Sequence, residues 1–303
     1  MKRLITILFW SPLYFGLTFG DTTPPYRFET IDINDGLSQN SGMTITKDKY
    51  GFIWIGTEDG LDRYDGIAFK NFRNNPQDPT SINSSSIMCS LTDRKGDLWI
   101  GTYESGLNRY VYKTESFRHY PENSTDTLTL GKGSIFALHE DHKGYIWVGT
   151  EQSGLFRINP DSGLIQPLGD LVKNDVSLSG AQVLSLFEDH LDQLWIGTNA
   201  GLNVLDLNSF ALKSYQHDPE IAESLFDDNV NLIFETYDGH NNRLWVGTNW
   251  GGLDLYDRRS GHFIHHGLGS DINPDYPETG ALTMIQESPD KIWVGTDSKG
   301  ILV

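Results

Sequence analysis

The chain has 303 residues, with 41 acidic against 23 basic side chains and a net charge of −18. That field repels nucleic acid and anionic lipid head groups, so neither is expected as a partner. The 31 glycines and 12% aromatic content suit strands joined by tight turns, and they exclude a low-complexity disordered chain.

At the start, Lys2 and Arg3 precede an apolar run from Leu4 to Leu17, and Thr18-Phe19-Gly20 offers small residues for a cut before Asp21. This predicts a signal peptide over 1–20, with an uncleaved N-terminal anchor as the alternative. Pro12 and Gly16 interrupt the run, which disfavours a long spanning helix. No cysteine follows it, so a lipoprotein anchor is not expected. Tyr26-Arg27-Phe28-Glu29, continuing to Thr30, reads as a short strand with no unit of its own before it.

From there the chain is periodic. Trp-x-Gly-Thr occurs six times, with the pairs Trp54/Gly56, Trp99/Gly101, Trp147/Gly149, Trp195/Gly197, Trp245/Gly247 and Trp293/Gly295. The tryptophans are 45, 48, 48, 50 and 48 residues apart, the period of a repeat architecture. Each unit opens with an alternating strand such as Ile135 to Leu138 or Val183 to Phe187. A turn follows, of the form Asp48-Lys49-Tyr50-Gly51, in which aspartate bonds its own downstream backbone and glycine takes positive φ. The fourth unit lacks the glycine, the fifth has a longer turn from Tyr237 to Asn242, and the sixth keeps only Ser288-Pro289-Asp290.

The signature then forms a second strand, a Gly-Leu pair opens a third, and a short aromatic run such as Phe117 to Tyr120 forms a fourth. Four antiparallel strands per unit predict an all-β protein, a β-propeller of six four-stranded blades with the last incomplete. The tryptophans should lie between neighbouring sheets, with the signature glycines making room for a neighbour's ring. The chain breaks off at Gly300-Ile301-Leu302-Val303, at the start of a third strand. It is therefore read as the front part of a longer protein whose ring has seven blades, in preference to six blades closed by the strand at Tyr26.

Residues with the chemistry of a catalytic or metal site do not converge in the sequence. His262-Phe263-Ile264-His265-His266 is the densest histidine cluster, but it lacks carboxylates at ligand spacing. Asp238 to Asn242 and Asp161-Ser162-Gly163 lack the regular oxygen pattern of a calcium loop. No catalytic residue, cofactor or metal is expected. Cys89 is the single cysteine, which excludes an internal disulfide and a thiolate metal cluster, and it reads as a small strand residue. The long polar connections between units, such as Asn74 to Asn83 and Gly169 to Ser179, share one face of a propeller and are the expected binding surface. Tyr103, Tyr237 and Trp250 break the pattern near turns and are candidate ligand-facing residues.

The pattern Asp-x-x-Gly-x-[Ile/Leu]-Trp-[Ile/Val]-Gly-Thr-x-x-Gly-Leu-x-x-Tyr resembles the two-component regulator propeller repeat. Its best copies are Asp48 to Tyr64 and Asp93 to Tyr110, the second with one extra residue before Gly106. Asp35 to Asn40 resembles the family's first-blade entry, and the similarity covers about Phe28 to Val303. The resemblance implies a ligand-sensing module in the periplasm, part of an inner-membrane protein that dimerises through its full length. The output would be a histidine kinase or a diguanylate cyclase, so this segment is not itself expected to be an enzyme. The expected ligand is a small molecule or carbohydrate. Two alternatives stand beside this reading. One is a secreted propeller enzyme such as a lyase or glycoside hydrolase, since some antibiotic-inactivating lyases have a similar propeller. The other is a structural protein-interaction platform.

Overall fold

The computed structural model describes residues 29–120, 130, 133–172, 176–249, 252–268, 280–297 and 300–303. Residues 1–31 form one unit and Asp32–Val303 a second. The expected signal segment lies outside the described residues, as do Tyr26 to Phe28, and Glu29 and Thr30 carry no strand.

The second unit is a propeller of six blades, five with four antiparallel strands in sequence order and the sixth with three. Blade 1 shows the plan: β1 (Gly42–Lys47), β2 (Ile53–Thr57), β3 (Gly60–Tyr64) and β4 (Phe69–Phe72). The first strands of blades 2 to 6 are Ile87–Thr92, Ile135–Glu140, Val183–Glu188, Val230–Tyr237 and Ala281–Ser288. The fourth strand of blade 3 is only three residues long, Ile165–Pro167. Helix is limited, among the described residues, to one 3-10 turn at Leu168–Asp170.

The core lies between blades. Trp54, Trp99, Trp147 and Trp195 are fully buried, while Trp245 and Trp293 are half-buried. Trp54 packs with Ile82, Ile87, Leu98 and Tyr110 of blade 2 and the loop that leads into it. Its ring meets Tyr110 edge-on at 4.7 Å.

The signature glycines make room for a different neighbour from the one expected. A Cβ on Gly101 would sit 2.8 Å from Ile135 Cβ, one on Gly149 2.6 Å from Val183 Cγ1, and one on Gly197 2.7 Å from Val230 Cγ1. Gly56 is closed off in the same way by Ile87, and a Cβ on Gly247 would stand 3.2 Å from Ala281 Cβ. The close neighbour of Gly56, Gly101, Gly149, Gly197 and Gly247 is thus an aliphatic residue from the first strand of the next blade, not a tryptophan ring. Each glycine is also crowded from its own first strand, by Cys89 at Gly101, Ser185 at Gly197 and Leu232 at Gly247. Gly295 has only that second kind of close neighbour, Thr283. The approach is needed because the first strands of adjacent blades lie against one another.

Among the described residues, two faces lack such a neighbour. Ile45 pairs with the second residue of its signature, as Ile233 and Met284 do in blades 5 and 6. Ile45 is 71% exposed, whereas Ile233 and Met284 are 4% and 7% exposed. On blade 6, Leu282, Ile285 and Ile301 are likewise exposed. The rear of blade 1 and the front of blade 6 are therefore uncovered apolar surface.

Candidate functional site

The turn aspartates do more than cap a turn. Asp141 Oδ1 accepts from the backbone N–H groups of Lys143 and Tyr145 at 2.9 and 3.0 Å. Its Oδ2 accepts from Trp147 Nε1 at 2.8 Å. Asp48, Asp93 and Asp189 do the same for Trp54, Trp99 and Trp195 at 2.7–2.9 Å. One buried carboxylate thus holds both the turn and the ring, which is a structural role. In blade 4 the missing glycine is replaced by Asp192 at φ 59°, since aspartate tolerates the left-handed region better than most residues.

On the opposite face a second device seats the long connections. Asn203 is buried in the third strand of blade 4, accepts from Ser179 N–H at 3.0 Å and donates to Ser179 Oγ at 2.9 Å. Asn108 with Asn83, Asp62 with Ser38 and Asp254 with Phe226 N–H repeat it. The signature threonines close the same corner, as where Thr198 Oγ1 donates to Gly201 O at 2.8 Å. Blade 3 has Phe156 at the clasp position.

On this face blade 3 carries a cleft of about 410 Å³, within the range of small-molecule sites. It lies between the Gln152-Ser153-Gly154 turn and the connection through Leu168, Val176 and Ala181. Tyr103 occupies the corresponding turn of blade 2 and is exposed on the same face. The charges of Glu104 and Glu151 push its phenol above the usual value. Ser134 Oγ ties those two turns, accepting from Glu104 N–H and donating to Glu151 Oε2.

The other candidates separate. Tyr237 ends the first strand of blade 5, on the opposite face, where its hydroxyl donates to Gly239 O at 2.8 Å. Trp250 lies outside the described residues. The histidine cluster does not converge either. His265 spends both ring nitrogens on Asp254 Oδ1 and Ala222 O, and His266 stands edge-on to Trp245 at 5.3 Å. Cys89 Sγ faces Ile135 O at 3.4 Å, and burial pushes its thiol up to about 12, which makes it unreactive.

A set of contacts that the sequence did not reveal joins successive blades at the turn face. In blades 2 to 4 the residue after the turn aspartate meets the end of the next blade's first strand, and in blade 5 the residue after Thr236 does so. Arg94 N–H donates to Glu140 Oε2 at 2.7 Å, His142 N–H to Glu188 Oε2 at 2.8 Å and His190 N–H to Glu235 Oε2 at 3.1 Å. Tyr237 N–H donates to Gln286 Oε1 at 2.9 Å. The only sequence signal is a Glu directly before the aspartate in blades 3 and 4.

Three segments, 81–104, 129–152 and 177–200, match the family model described as two component regulator propeller. Residues of this chain are 51% identical over 57 positions to histidine kinase P4 of Formosa agariphila, a match covering 19% of the chain and 4% of the kinase. Among solved structures, the extracellular domain of a proposed hybrid two component system of B. thetaiotaomicron is 25% identical with a TM-score of 0.72. That match covers 90% of this chain and 34% of the other. Virginiamycin B lyase from Staphylococcus aureus shares the fold at 15% identity and a TM-score of 0.58, covering 84% of this chain and 77% of the lyase. The chain thus spans about a third of the first solved relative. Residues 81–104, 129–152 and 177–200, in blades 2 to 4 and the connections that lead into them, thus match two component regulator propeller repeats.

Proposed function

We propose that this chain is the ligand-sensing propeller of a bacterial transmembrane signalling protein, and that it lies in the periplasm. The observation that carries the reading is the likeness to the extracellular domain of a hybrid two component system over 90% of the chain. The stretch 51% identical to a histidine kinase supports a kinase as the output. Among the described residues no helix is long and apolar enough to cross a membrane, so the anchor would lie elsewhere in the protein. The recurring buried residues are engaged in packing and turn closure, which suits a rigid platform carrying loops.

The ligand would be a small molecule or carbohydrate taken up at the loop-side cleft of blade 3. Leu168, Val176 and Leu178 offer an apolar wall, and Gln152 and Ser153 offer polar groups. Tyr103 would extend the site as a stacking surface. Alkaline phosphatase fused after blade 6 in the native host should be active, and an inactive fusion overturns the location. Thermal shift against a panel of oligosaccharides should give a rise that Tyr103→Ala and Gln152→Ala reduce. A ligand whose shift both variants leave intact places the site elsewhere.

A further inference from the structure

The junctions between blades carry a glutamate that is met by a cation in two cases and not in a third. At the junction of blades 2 and 3, Glu140 faces the guanidinium of Arg94, with Nε 3.5 Å from Oε1. At the junction of blades 4 and 5, Arg258 Nη2 reaches Glu235 Oε1 at 2.7 Å and Nη1 reaches Asp189 Oδ2 at 2.9 Å. At the junction of blades 3 and 4, the position of Arg258 is taken by Leu207 and that of Arg94 by His142. Glu188 is one-tenth exposed and, among the described residues, is met by imidazoles alone.

The donors there are arranged for a metal. One donor atom from each of His142, Glu188 and Asp192 lies within 4.8 Å of the other two. His142 Nδ1 is 3.6 Å from Asp192 Oδ1 and hydrogen-bonds Glu188 Oε1. Ligand atoms around a tetrahedral zinc, with bonds of ~2.0–2.2 Å, stand about 3.3 Å apart. The first spacing is already close to that, and the second needs to open by roughly an ångström. Glu188 Oε2 is held by His142 N–H at 2.8 Å, which turns Oε1 toward the other two donors.

A further nitrogen stands beside them. Among the described residues His139 Nε2, shielded from solvent, has no hydrogen-bond partner, and it lies 3.7 Å from Glu188 Oε2. Lys143, on the same turn as His142, is committed to Leu207 O at 2.7 Å and to Asn208 Oδ1. It does not fill the role that Arg258 has one junction further on.

We infer that His142, Glu188 and Asp192 bind a divalent cation of the zinc class between blades 3 and 4, with water completing its coordination. Imidazole with carboxylate suits zinc and its neighbours, whereas calcium would want an all-oxygen set. The ion would take the place that arginine holds at the flanking junctions and would link the two blades. The inference stands apart from the sensing role and survives its failure.

The test is calorimetric titration of the chelator-treated protein with zinc chloride in a non-coordinating buffer. One equivalent should bind with micromolar or tighter affinity, and the thermal midpoint should rise with zinc. Asp192→Asn keeps a residue that tolerates positive φ, and His142→Gln keeps the backbone bond to Glu188, so both variants should fold. Each should weaken zinc binding at least tenfold, while His190→Gln at the neighbouring junction leaves it unchanged. Binding only at millimolar zinc overturns the site. So does micromolar binding that neither His142→Gln nor Asp192→Asn weakens.

Discussion

Blades 1 to 4 and blades 5 and 6 solve one problem in two ways. In the first four, a single buried aspartate caps the turn with one oxygen and holds the tryptophan with the other. In blade 5 the position is Thr236, whose hydroxyl accepts from Trp245 Nε1 at 2.9 Å. A hydroxyl has no second oxygen for the turn, and that work moves to Asp238, which accepts from His240 and Asn241 N–H. Blade 6 uses Glu287 for Trp293, near the surface. The split lengthens the hairpin: the first strand of blade 5 has eight residues where those of blades 1 to 4 have six. The indole N–H must be satisfied in every blade, whereas the turn can be rebuilt.

The largest effect that would test this contrast is loss of a ring. Trp147→Ala should cost about 3–5 kcal/mol in denaturant unfolding, because the ring is fully buried, and Trp293→Ala clearly less. Next comes the lock itself. Asp141→Ala leaves buried donors without partners and should cost about 3 kcal/mol, against about 1 kcal/mol for Thr236→Val. Equal losses for the two would remove the distinction between the blade types. Gly149→Ala should then cost about 1–3 kcal/mol by forcing Val183 aside. Gly295→Ala should cost less, since the added methyl there meets only its own blade's Thr283 side chain closely.

A smaller effect depends on pH. The hydrogen bond from His265 to Asp254 raises the histidine above its ordinary 6.5. Its contribution to stability is therefore whole below about pH 6.5 and is lost as pH rises through the raised folded value. His265→Gln should lower the unfolding midpoint at pH 5.5 more than at pH 8.5, and a uniform drop would show that the charge is not involved. Last, Cys89 should resist alkylation at pH 8 in the folded protein, since roughly one thiol in ten thousand is ionised.

The sequence made the blade readable because its signals are local. Asp48 to Gly51 is a turn by its own chemistry, and Trp-x-Gly-Thr recurs at one period. The contacts that cross between blades were not readable in the same way. The neighbour of Gly149 is Val183, and that of His142 is Glu188, each tens of residues away. Which residues meet depends on the offset between stacked sheets, and no alternation within one strand encodes that offset. Gly101, Gly197 and Gly247 carry the same lesson: their need for space was legible, but not that Ile135, Val230 and Ala281 would fill it. The aspartate–indole bond lay between these cases. Asp and Trp stand six residues apart in four blades, but period-two reasoning about strand faces does not say what a turn residue reaches. Tyr103 and Tyr237 looked alike as pattern breaks, yet one follows a second strand and the other ends a first, so they emerge on opposite faces.

The two uncovered faces have a consequence in symmetry terms. Each blade presents a front to its successor and a rear to its predecessor, so the repeat interface is heterologous. Such an interface propagates until a rotation closes it. The exposed front of blade 6, with Ile285 and Ile301, and the exposed rear of blade 1, with Ile45, are two halves of one kind of contact. Isolated copies of these six blades therefore carry complementary ends, and at high concentration they should add head to tail into open filaments. Charge on either end, such as Ile45→Lys or Ile285→Glu, should halt that growth and keep the protein monomeric by light scattering.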